Sequence, residues 1–269
     1  MKTSPYTDPD MAAVYGRIAV PYQFGPPARD LVRMVRPPDG ARVLDVGTGT
    51  GAVAVPAIEA TGSSGLVVGV DAAFEMLHVA RRAASYPVTV AHVPGLPFRD
   101  GTFDVVTAGF VISHISNDDR ALEDLVRVCR VHGRVGMSAW GAMSNAAAQL
   151  WSDIAAAFVP RERLDEAFHA HLPRDAWFSN PANIRRALAD AGLAPVVVDT
   201  REYDFTMTTT DFLSARAASI QGMLVRDALS AGKRIGFTRQ LADAFHTRFG
   251  EAVEYRRDVH FGIGTKPAR

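Results

Sequence analysis

The sequence has a single cysteine, no long apolar run and no excess of charge of either sign. Because Cys129 stands alone, no disulfide can form within the chain. Residues 1–10 are polar and lack the apolar stretch of a secretory signal. No apolar run approaches the roughly 20 residues that a membrane helix needs. These absences favour a cytoplasmic protein without membrane insertion.

The charge balance argues against nucleic acid as a partner. Lysine and arginine together number 29, as do aspartate and glutamate, so the formal net charge is zero. Such a surface has no general field that attracts a polyanion. The apolar fraction of 48% over 269 residues is enough for one sizeable core. We therefore expect a small-molecule substrate and one domain, with a monomer and a homodimer both open.

Short apolar strands alternate with amphipathic helices over much of the chain, which predicts a doubly wound, mostly parallel α/β sheet. Ligands on such sheets bind beyond the carboxyl ends of the strands. The predicted strands are Arg42–Val46, Leu66–Val70, Val88–His92, Phe103–Gly109, Gly133–Trp140, Ala194–Arg201 and Val253–Ile263.

Four segments are expected within the single domain of residues 1–269. Residues 1–36 form an N-terminal cap, and residues 37–141 hold the alternating pattern of the ligand-binding core. Residues 142–180 are long, helical and rich in aromatic side chains, which predicts a lid. Residues 181–269 complete the sheet and add helices on the substrate side.

A glycine-rich loop follows the first strand. The strand ends in Asp45-Val46 and runs into Gly47-x-Gly49-x-Gly51, then into an alanine-rich helix. Glycine lets the backbone turn sharply and lets a ligand approach it closely. The start of the helix suits a carboxylate, and Asp45 suits an ammonium group. The two together describe the amino-acid end of S-adenosylmethionine.

A second cofactor class also fits these residues. Gly47-x-Gly49-x-x-Ala52 satisfies the dinucleotide fingerprint with its permitted final alanine. Asp71, twenty residues past Gly51, can accept the ribose hydroxyls of either cofactor. The loop and this carboxylate therefore leave NAD(P) and S-adenosylmethionine both open.

The wider pattern resembles the class I S-adenosylmethionine-dependent methyltransferases. Val43–Gly51 is similar to their first motif and Val68–Leu77 to their second. Leu96–Val106 resembles a segment of the ubiquinone/menaquinone-biosynthesis-type (methyltransferase type 11-like) small-molecule subfamily, and Arg127–Val135 resembles its turn into the fifth strand. The segments occur in the family's order and cover about half of the chain.

The resemblance implies a Rossmann-like sheet of about seven strands, the last one antiparallel, with a helical N-terminal cap and a helical lid after strand five. It implies S-adenosyl-L-methionine as cofactor, S-adenosyl-L-homocysteine as product, and no metal. Ala72 and Met76 would lie along the adenine, and the loop around Phe110 would face the methyl group. The residues that it assigns to the cofactor are Asp45, Gly47, Thr48, Gly49, Gly51, Asp71, Ala72, Met76, His92, Val93, Ala108 and Phe110.

Two positions depart from the family's pattern. His92 stands where relatives usually have an aspartate that takes the adenine amino group. An unprotonated histidine nitrogen can still accept from that group, or the side chain can point away. Val131-His132 stands where relatives usually have proline and glycine, which concerns a turn and not the chemistry.

Catalytic and substrate residues are less defined by the pattern. His114 follows the fourth strand and is the candidate general base, with orientation of the loop as its alternative role. Tyr15, Tyr22, Trp140 and Trp177 are candidates for substrate contact, with ordinary packing as the alternative. Methyl transfer depends mainly on positioning, so the lack of an obvious catalytic pair does not argue against it.

The sequence thus predicts methyl transfer to a small hydrophobic or aromatic metabolite, with an oxygen, nitrogen or carbon acceptor. One alternative is a methyltransferase-fold protein that binds S-adenosylmethionine without methylating, such as a cyclase, an isomerase or a binding module. A more remote alternative is an NAD(P)-dependent oxidoreductase.

Overall fold

The computed structural model describes residues 5–268. Seven strands form one sheet in the order β3-β2-β1-β4-β5-β7-β6, numbered along the chain. The strands are β1 (Arg42–Val46), β2 (Leu66–Asp71), β3 (Val88–Val90), β4 (Phe103–Gly109), β5 (Cys129–Trp140), β6 (Val196–Thr208) and β7 (Ala252–Thr265).

Strand direction confirms the predicted fold class. The strands β1 to β5 pair in parallel. The last strand, β7, is inserted between β5 and β6 and runs antiparallel to both. The chain therefore has the Rossmann-like sheet with a final antiparallel strand.

Helices cover both faces of the sheet and one end of it. Within residues 5–268, no helix is both long and apolar enough to cross a membrane. A π-helical segment, Tyr15–Phe24, joins the first two helices. The helices are α1 (Pro9–Val14), α2 (Gly25–Val35), α3 (Ala54–Thr61), α4 (Phe74–Ala83), α5 (Asp118–Val128), α6 (Ala146–Ala156), α7 (Arg161–His171), α8 (Asp175–Phe178), α9 (Pro181–Asp190), α10 (Thr209–Ala217), α11 (Ile220–Ala228) and α12 (Ala231–Phe249).

Each face of the sheet has its own apolar core, because strands alternate their side chains between the two faces. On one face, Leu44 and Val106 pack against α5, α8 and α9. On the other face, Val43 and Val105 pack against α2, α3 and the end of α4.

A third core lies beyond the sheet and is entirely helical apart from two strand ends. It joins α6, α7, α10, α11 and α12 to Met207 of β6 and Val253 of β7. The lid predicted for residues 142–180 supplies only α6 and α7 to this core, and residues 209–249 supply the rest. Phe178 of α8 belongs instead to the sheet core.

Several predicted element ends were wrong. β5 begins at Cys129, four residues before the predicted start, so this buried cysteine opens a strand and does not lie in a helix. β3 stops at Val90, short of His92. β6 continues to Thr208 because it pairs with β7 along its whole length. The charged residues on its outer side obscure that pairing in the sequence.

His132 stands where relatives usually have glycine, in the turn that precedes the main ladder of the fifth strand. Its φ of 62° is in the left-handed region that glycine adopts most readily. The register between β4 and β5 shifts there, from the pair Phe103–Cys129 to the pair Val105–Arg134. Histidine is thus held in a bulge conformation by the strands on both sides.

Asp124 of α5 organises the segment that precedes β4. Its Oδ2 accepts hydrogen bonds from the backbone N–H groups of Gly95 and Leu96, at 2.7 and 2.8 Å. Its Oδ1 accepts from Nε of Arg127 at 2.9 Å. Arg127 in turn donates to the carbonyl oxygens of Leu96 and Phe98, at 2.9 and 2.7 Å. The segment Leu96-Pro97-Phe98 is therefore held in place by the ion pair between Asp124 and Arg127.

We predict that Asp124→Ala lowers the free energy of unfolding by about 2–3 kcal/mol, because two N–H groups and a guanidinium lose their acceptor. Urea denaturation measures the change from the shift in midpoint. Glu123→Ala is the matched control on the exposed side of the same helix and should change stability by no more than about 0.5 kcal/mol. Equal effects of the two substitutions would contradict the assignment.

Candidate functional site

The candidate site lies at the carboxyl ends of β1, β2 and β4. These strands are neighbours and run in parallel, so the loops that follow them meet at one edge of the sheet. The loop after β1 is glycine-rich, the loop after β2 begins at Asp71, and the loop after β4 contains Phe110 and His114.

The glycine loop makes turns that side chains would obstruct. Gly47, Gly49 and Gly51 have φ values of 64°, 55° and 96°. A Cβ on Gly47 would lie 2.3 Å from Cγ2 of Val111. A Cβ on Gly49 would meet only Cε of Met76, at 3.5 Å, and the carbonyl oxygen of Gly47, at 3.9 Å. A side chain at Gly47 would therefore collide with Val111, whereas one at Gly49 would make ordinary contacts but would need an unfavourable φ.

Asp71 joins the glycine loop to the start of α4. Its Oδ2 accepts from the N–H of Gly49 at 2.9 Å, and its Oδ1 accepts from the N–H of Ala73 at 2.8 Å. Burial raises the pKa of this carboxyl, although its backbone hydrogen bonds and the nearby His92 act in the opposite direction. Each oxygen keeps lone pairs for a further donor.

Asp45 is an acid with an unsatisfied oxygen. It is only 1% exposed, and its Oδ1 accepts from the hydroxyl of Thr107 at 2.9 Å. Its Oδ2 is buried and has no hydrogen-bond partner within the described part of the chain. Burial raises the pKa of Asp45 to about 7. A cationic donor beside Oδ2 would restore the charged form.

The other residues assigned to the cofactor form two groups, one beside the glycine loop and Asp71 and one behind the loops. In the first group, Met76 is buried against Ala12 of α1 and close to Gly49, while Ala72 and His92 are exposed. Thr48, Gly51, Val93 and Ala108 support the loops from behind. Thr48 bonds the hydroxyl of Tyr86 and the N–H of Gly51, while Val93 and Ala108 pack in the sheet core.

The N-terminal segment closes over this edge of the sheet. Tyr6 and Tyr15 pack with Met76, and the ring of Tyr6 lies 5.4 Å from that of His114 in an edge-to-face contact. Burial raises the pKa of both tyrosines, and the negative charge of Asp71 adds to the effect. Both phenols therefore stay protonated at neutral pH.

A cavity of about 430 Å³ lies next to these loops, between the sheet edge and the helical core. That volume is within the range of small-molecule sites. Phe110 has a φ of 58°, which is unusual for an aromatic residue, and its ring lies 4.5 Å from Trp140 and 5.2 Å from Phe24. The aromatic residues that line the cavity are Tyr6, Tyr15, Phe24, Phe110, Trp140, Phe168, Phe212 and Tyr255.

His114 lines the same cavity. Its Nδ1 lies 2.9 Å from the carbonyl oxygen of His171 at the end of α7. A carbonyl can only accept, so Nδ1 carries the proton and Nε2 keeps a lone pair. Burial lowers the pKa of His114 to about 4. The side chain is thus a neutral hydrogen-bond acceptor in a fixed tautomer.

Two of the four residues predicted to contact substrate lie elsewhere. Tyr15 and Trp140 line the cavity. Tyr22 is 41% exposed on the outside of the π-helical segment. Trp177 packs on the sheet core, beneath the guanidinium of Arg174 at 4.4 Å. Trp177 packs towards the sheet core, whereas Asp175 at the start of the same short helix lines the cavity.

Sequence reasoning missed three charged residues of the cavity: Asp175, Arg216 and Arg257. A signal existed for Arg257. Alternate residues of β7 share one face, and this arginine interrupts an apolar series that includes Val253 and Val259. No comparable signal marks Arg216, which lies between two alanines near the end of a short helix.

Among the residues that the structure describes, no group of three or more histidine, cysteine, aspartate or glutamate side chains is placed to hold a metal ion.

Comparison with known proteins identifies a family whose members resemble this chain. Residues 44–137 match the family described as "Methyltransferase domain". The ubiquinone/menaquinone biosynthesis C-methyltransferase UbiE of Geotalea uraniireducens is 35% identical over 39% of this chain and 48% of its own length. The chain thus spans about half of that relative.

A second relative is similar over a longer stretch. The nocamycin O-methyltransferase of Saccharothrix syringae is 31% identical over 71% of this chain and 71% of its own length. Among solved structures, phosphoethanolamine N-methyltransferase 2 of Haemonchus contortus, in complex with S-adenosyl-L-methionine, aligns with a TM-score of 0.52 and 19% identity. That alignment covers 90% of this chain and 53% of the other, and it shows a shared fold.

We predict that the imidazole of His114 titrates near pH 4, below its ordinary value of 6.5. Between these values the unfolded chain takes up the proton more readily than the folded protein, so this residue lowers stability as the pH falls from 6.5 towards 4. NMR titration of the histidine ring protons measures the pKa, and His114→Asn assigns the resonance. A midpoint near 6.5 would contradict the buried, neutral form.

Proposed function

The chain belongs to the class I S-adenosylmethionine-dependent methyltransferases, and from that premise we propose that it methylates a small hydrophobic or aromatic molecule. The proposal depends mainly on one observation. The loop of Phe110 and His114 borders the aromatic cavity and follows the strand next to β1, which leads into the glycine loop. A donor and an acceptor molecule can therefore meet at one loop.

The residues present fit the cofactor. Gly47, Gly49 and Gly51 carry no side chain at the turn, so a ligand can approach the backbone closely there. The unsatisfied Oδ2 of Asp45 suits an ammonium group. Asp71 would take the ribose hydroxyls, with Ala72 and Met76 along the adenine. His92 is exposed close to Asp71, so it can reach the edge of an adenine that lies there.

Bound S-adenosylmethionine supplies an electrophilic methyl group on a sulfonium. The protein's own part is to position the acceptor and exclude water. Phe110, Trp140 and Phe24 form an apolar wall for a flat acceptor. The lone pair of His114 Nε2 can accept a hydrogen bond from the acceptor's hydroxyl. With a pKa near 4, His114 is suited to an acceptor whose own proton is acidic.

The relatives' names support an oxygen or carbon acceptor on a small molecule. One relative is named for O-methylation of nocamycin and the other for C-methylation in ubiquinone and menaquinone biosynthesis. We propose an oxygen acceptor first, because the relative that aligns over the larger part of both chains is an O-methyltransferase.

The cofactor assignment is tested by isothermal titration of the purified protein with S-adenosylhomocysteine, NAD and NADP. We expect S-adenosylhomocysteine alone to bind. We predict that Asp71→Asn weakens it about ten- to a hundredfold, because one amide –NH₂ would face a backbone N–H and the ribose would lose a charged acceptor.

Glu59→Gln is the matched control for that substitution, since this residue is exposed on α3. It should leave affinity for S-adenosylhomocysteine unchanged. Full affinity in Asp71→Asn would exclude the ribose assignment. Binding of NAD or NADP in place of S-adenosylhomocysteine would revive the oxidoreductase alternative.

The role of His114 is tested by transfer of a tritiated methyl group from S-adenosylmethionine to a pool of phenols and aromatic acids. We predict that His114→Asn lowers the rate about a hundredfold and leaves affinity for S-adenosylhomocysteine unchanged. Asparagine can still donate to the carbonyl of His171, but it has no acceptor at the position of Nε2. A near-normal rate would exclude this role. Conversion of a substrate without methylation would favour the cyclase or isomerase alternative.

A further inference from the structure

Two guanidinium groups line the cavity that adjoins His114. Arg216 lies on α10, one of the helices of the third core, and Arg257 lies on β7, between β5 and β6 in the sheet. They approach the cavity from different elements, and neither is part of the cofactor or methyl-transfer site proposed above.

Arg216 is buried with a donor to spare. Its guanidinium lies over the ring of Trp151 at 4.4 Å, and its Nη2 donates to Oε1 of Gln221 at 3.1 Å. Its Nε is inaccessible to solvent and has no partner within residues 5–268. Burial lowers the pKa of Arg216 to about 10, and the positive charge of Arg257 contributes. The group therefore remains a cation at neutral pH.

Arg257 is also desolvated. Its guanidinium lies over Trp140 at 4.0 Å, and burial lowers its pKa, although the charge of Asp175 partly offsets the effect. In the described part of the chain, neither Arg257 nor Arg216 forms an ion pair with a carboxylate, whereas Arg256 and Arg201 pair with aspartates.

Two neighbouring cations that lack ion pairs are unfavourable inside a protein, because desolvation and mutual repulsion add together. Among residues 5–268, Asp175 is the one carboxylate that lines the cavity, and burial raises its pKa. An anionic ligand would balance the remaining charge, and guanidinium groups bind planar carboxylates with two parallel hydrogen bonds.

We propose that the acceptor is an aromatic carboxylate whose carboxylate group is held by Arg216 and Arg257. Arg257, Trp140 and Phe110 lie in succession, with 4.0 Å from the guanidinium to Trp140 and 4.5 Å between the two rings. A flat molecule along this series has its carboxylate at the arginines and its far end at the loop of Phe110 and His114. The carboxylate is thus an anchor and not the methylated atom. This inference rests on the proposed function, whose acceptor class it specifies.

The test compares two probes of equal shape, 6-hydroxy-2-naphthoate and the neutral 6-hydroxy-2-naphthamide, in which the hydroxyl lies at the end opposite to the carboxylate or amide. Isothermal titration is carried out on the full chain, with and without saturating S-adenosylhomocysteine. We expect the naphthoate to bind at least about tenfold more tightly than the naphthamide. Arg216→Met and Arg257→Met should each remove about tenfold of affinity for the naphthoate and leave affinity for the naphthamide unchanged.

Arg256→Met is the matched control, since Arg256 is the neighbour of Arg257 on β7 and pairs with Asp204 on the other face of the strand. It should not change the affinity of either probe. Thermal melting without ligand separates binding from a structural role. Removing a desolvated, unpaired cation should leave the melting temperature of Arg216→Met and Arg257→Met unchanged or higher.

Equal affinities for the two probes, or no binding of either, would overturn the inference. So would naphthoate binding that neither arginine substitution weakens, or a fall in melting temperature of several degrees in both variants. Should one variant fail to fold, Arg216→Lys or Arg257→Lys keeps the charge and should retain part of the preference for the naphthoate. The proposed function is judged separately, because it fails when S-adenosylhomocysteine does not bind the wild-type protein.

Discussion

Asp71 is the point at which the cofactor edge of the sheet is held together. One oxygen accepts from the glycine loop after β1, and the other accepts from the first turn leading into α4. Both loops would otherwise leave backbone N–H groups without a partner at the end of a buried strand. In the proposed function the same two oxygens accept from a ribose, so the residue that orders the loops would also bind the ligand. Stability of the loops and affinity for the cofactor would thereby be coupled.

A second connection joins the helical core of α6, α7, α10, α11 and α12 to the loop after β4. The carbonyl of His171 ends α7, and it accepts from the ring of His114 in the loop after β4. The tautomer of that histidine therefore depends on the position of α7. The paired extension of β6 and β7 carries Met207 and Val253 into the same helical core. The helical core is thus anchored to the sheet at two places, the loop after β4 and the extension of β6 and β7.

The sequence predicted the part of the molecule in which local pattern and ligand geometry coincide. Each of the strands β1 to β4 is followed by a loop with a residue that the resemblance assigns to the cofactor, so alternation alone places Gly49, Asp71 and Phe110 at one edge of the sheet. The residues after Trp140 do not follow this alternating pattern, so it could not predict which of them line the cavity. Arg216 and Arg257 are 41 positions apart and meet across a cavity lined by residues of α1, α6, α7, α8, α10 and α11 and of β5, β6 and β7. Trp177 shows the converse, since aromatic content predicted a cavity wall where the structure has sheet core.

Burial acts on His114 and on Arg216 in the same direction and has opposite consequences for the cavity. It lowers the pKa of the histidine to about 4, below neutrality, and that of the arginine only to about 10. His114 is therefore neutral and accepts hydrogen bonds, while Arg216 stays cationic and donates them. The ring of Trp140 lies next to both the guanidinium of Arg257 and the ring of Phe110, whose loop carries His114. In the proposed binding mode, a ligand that is anionic at one end and carries an acidic hydroxyl at the other can bind in only one orientation. Orientation is the requirement that methyl transfer places on the protein.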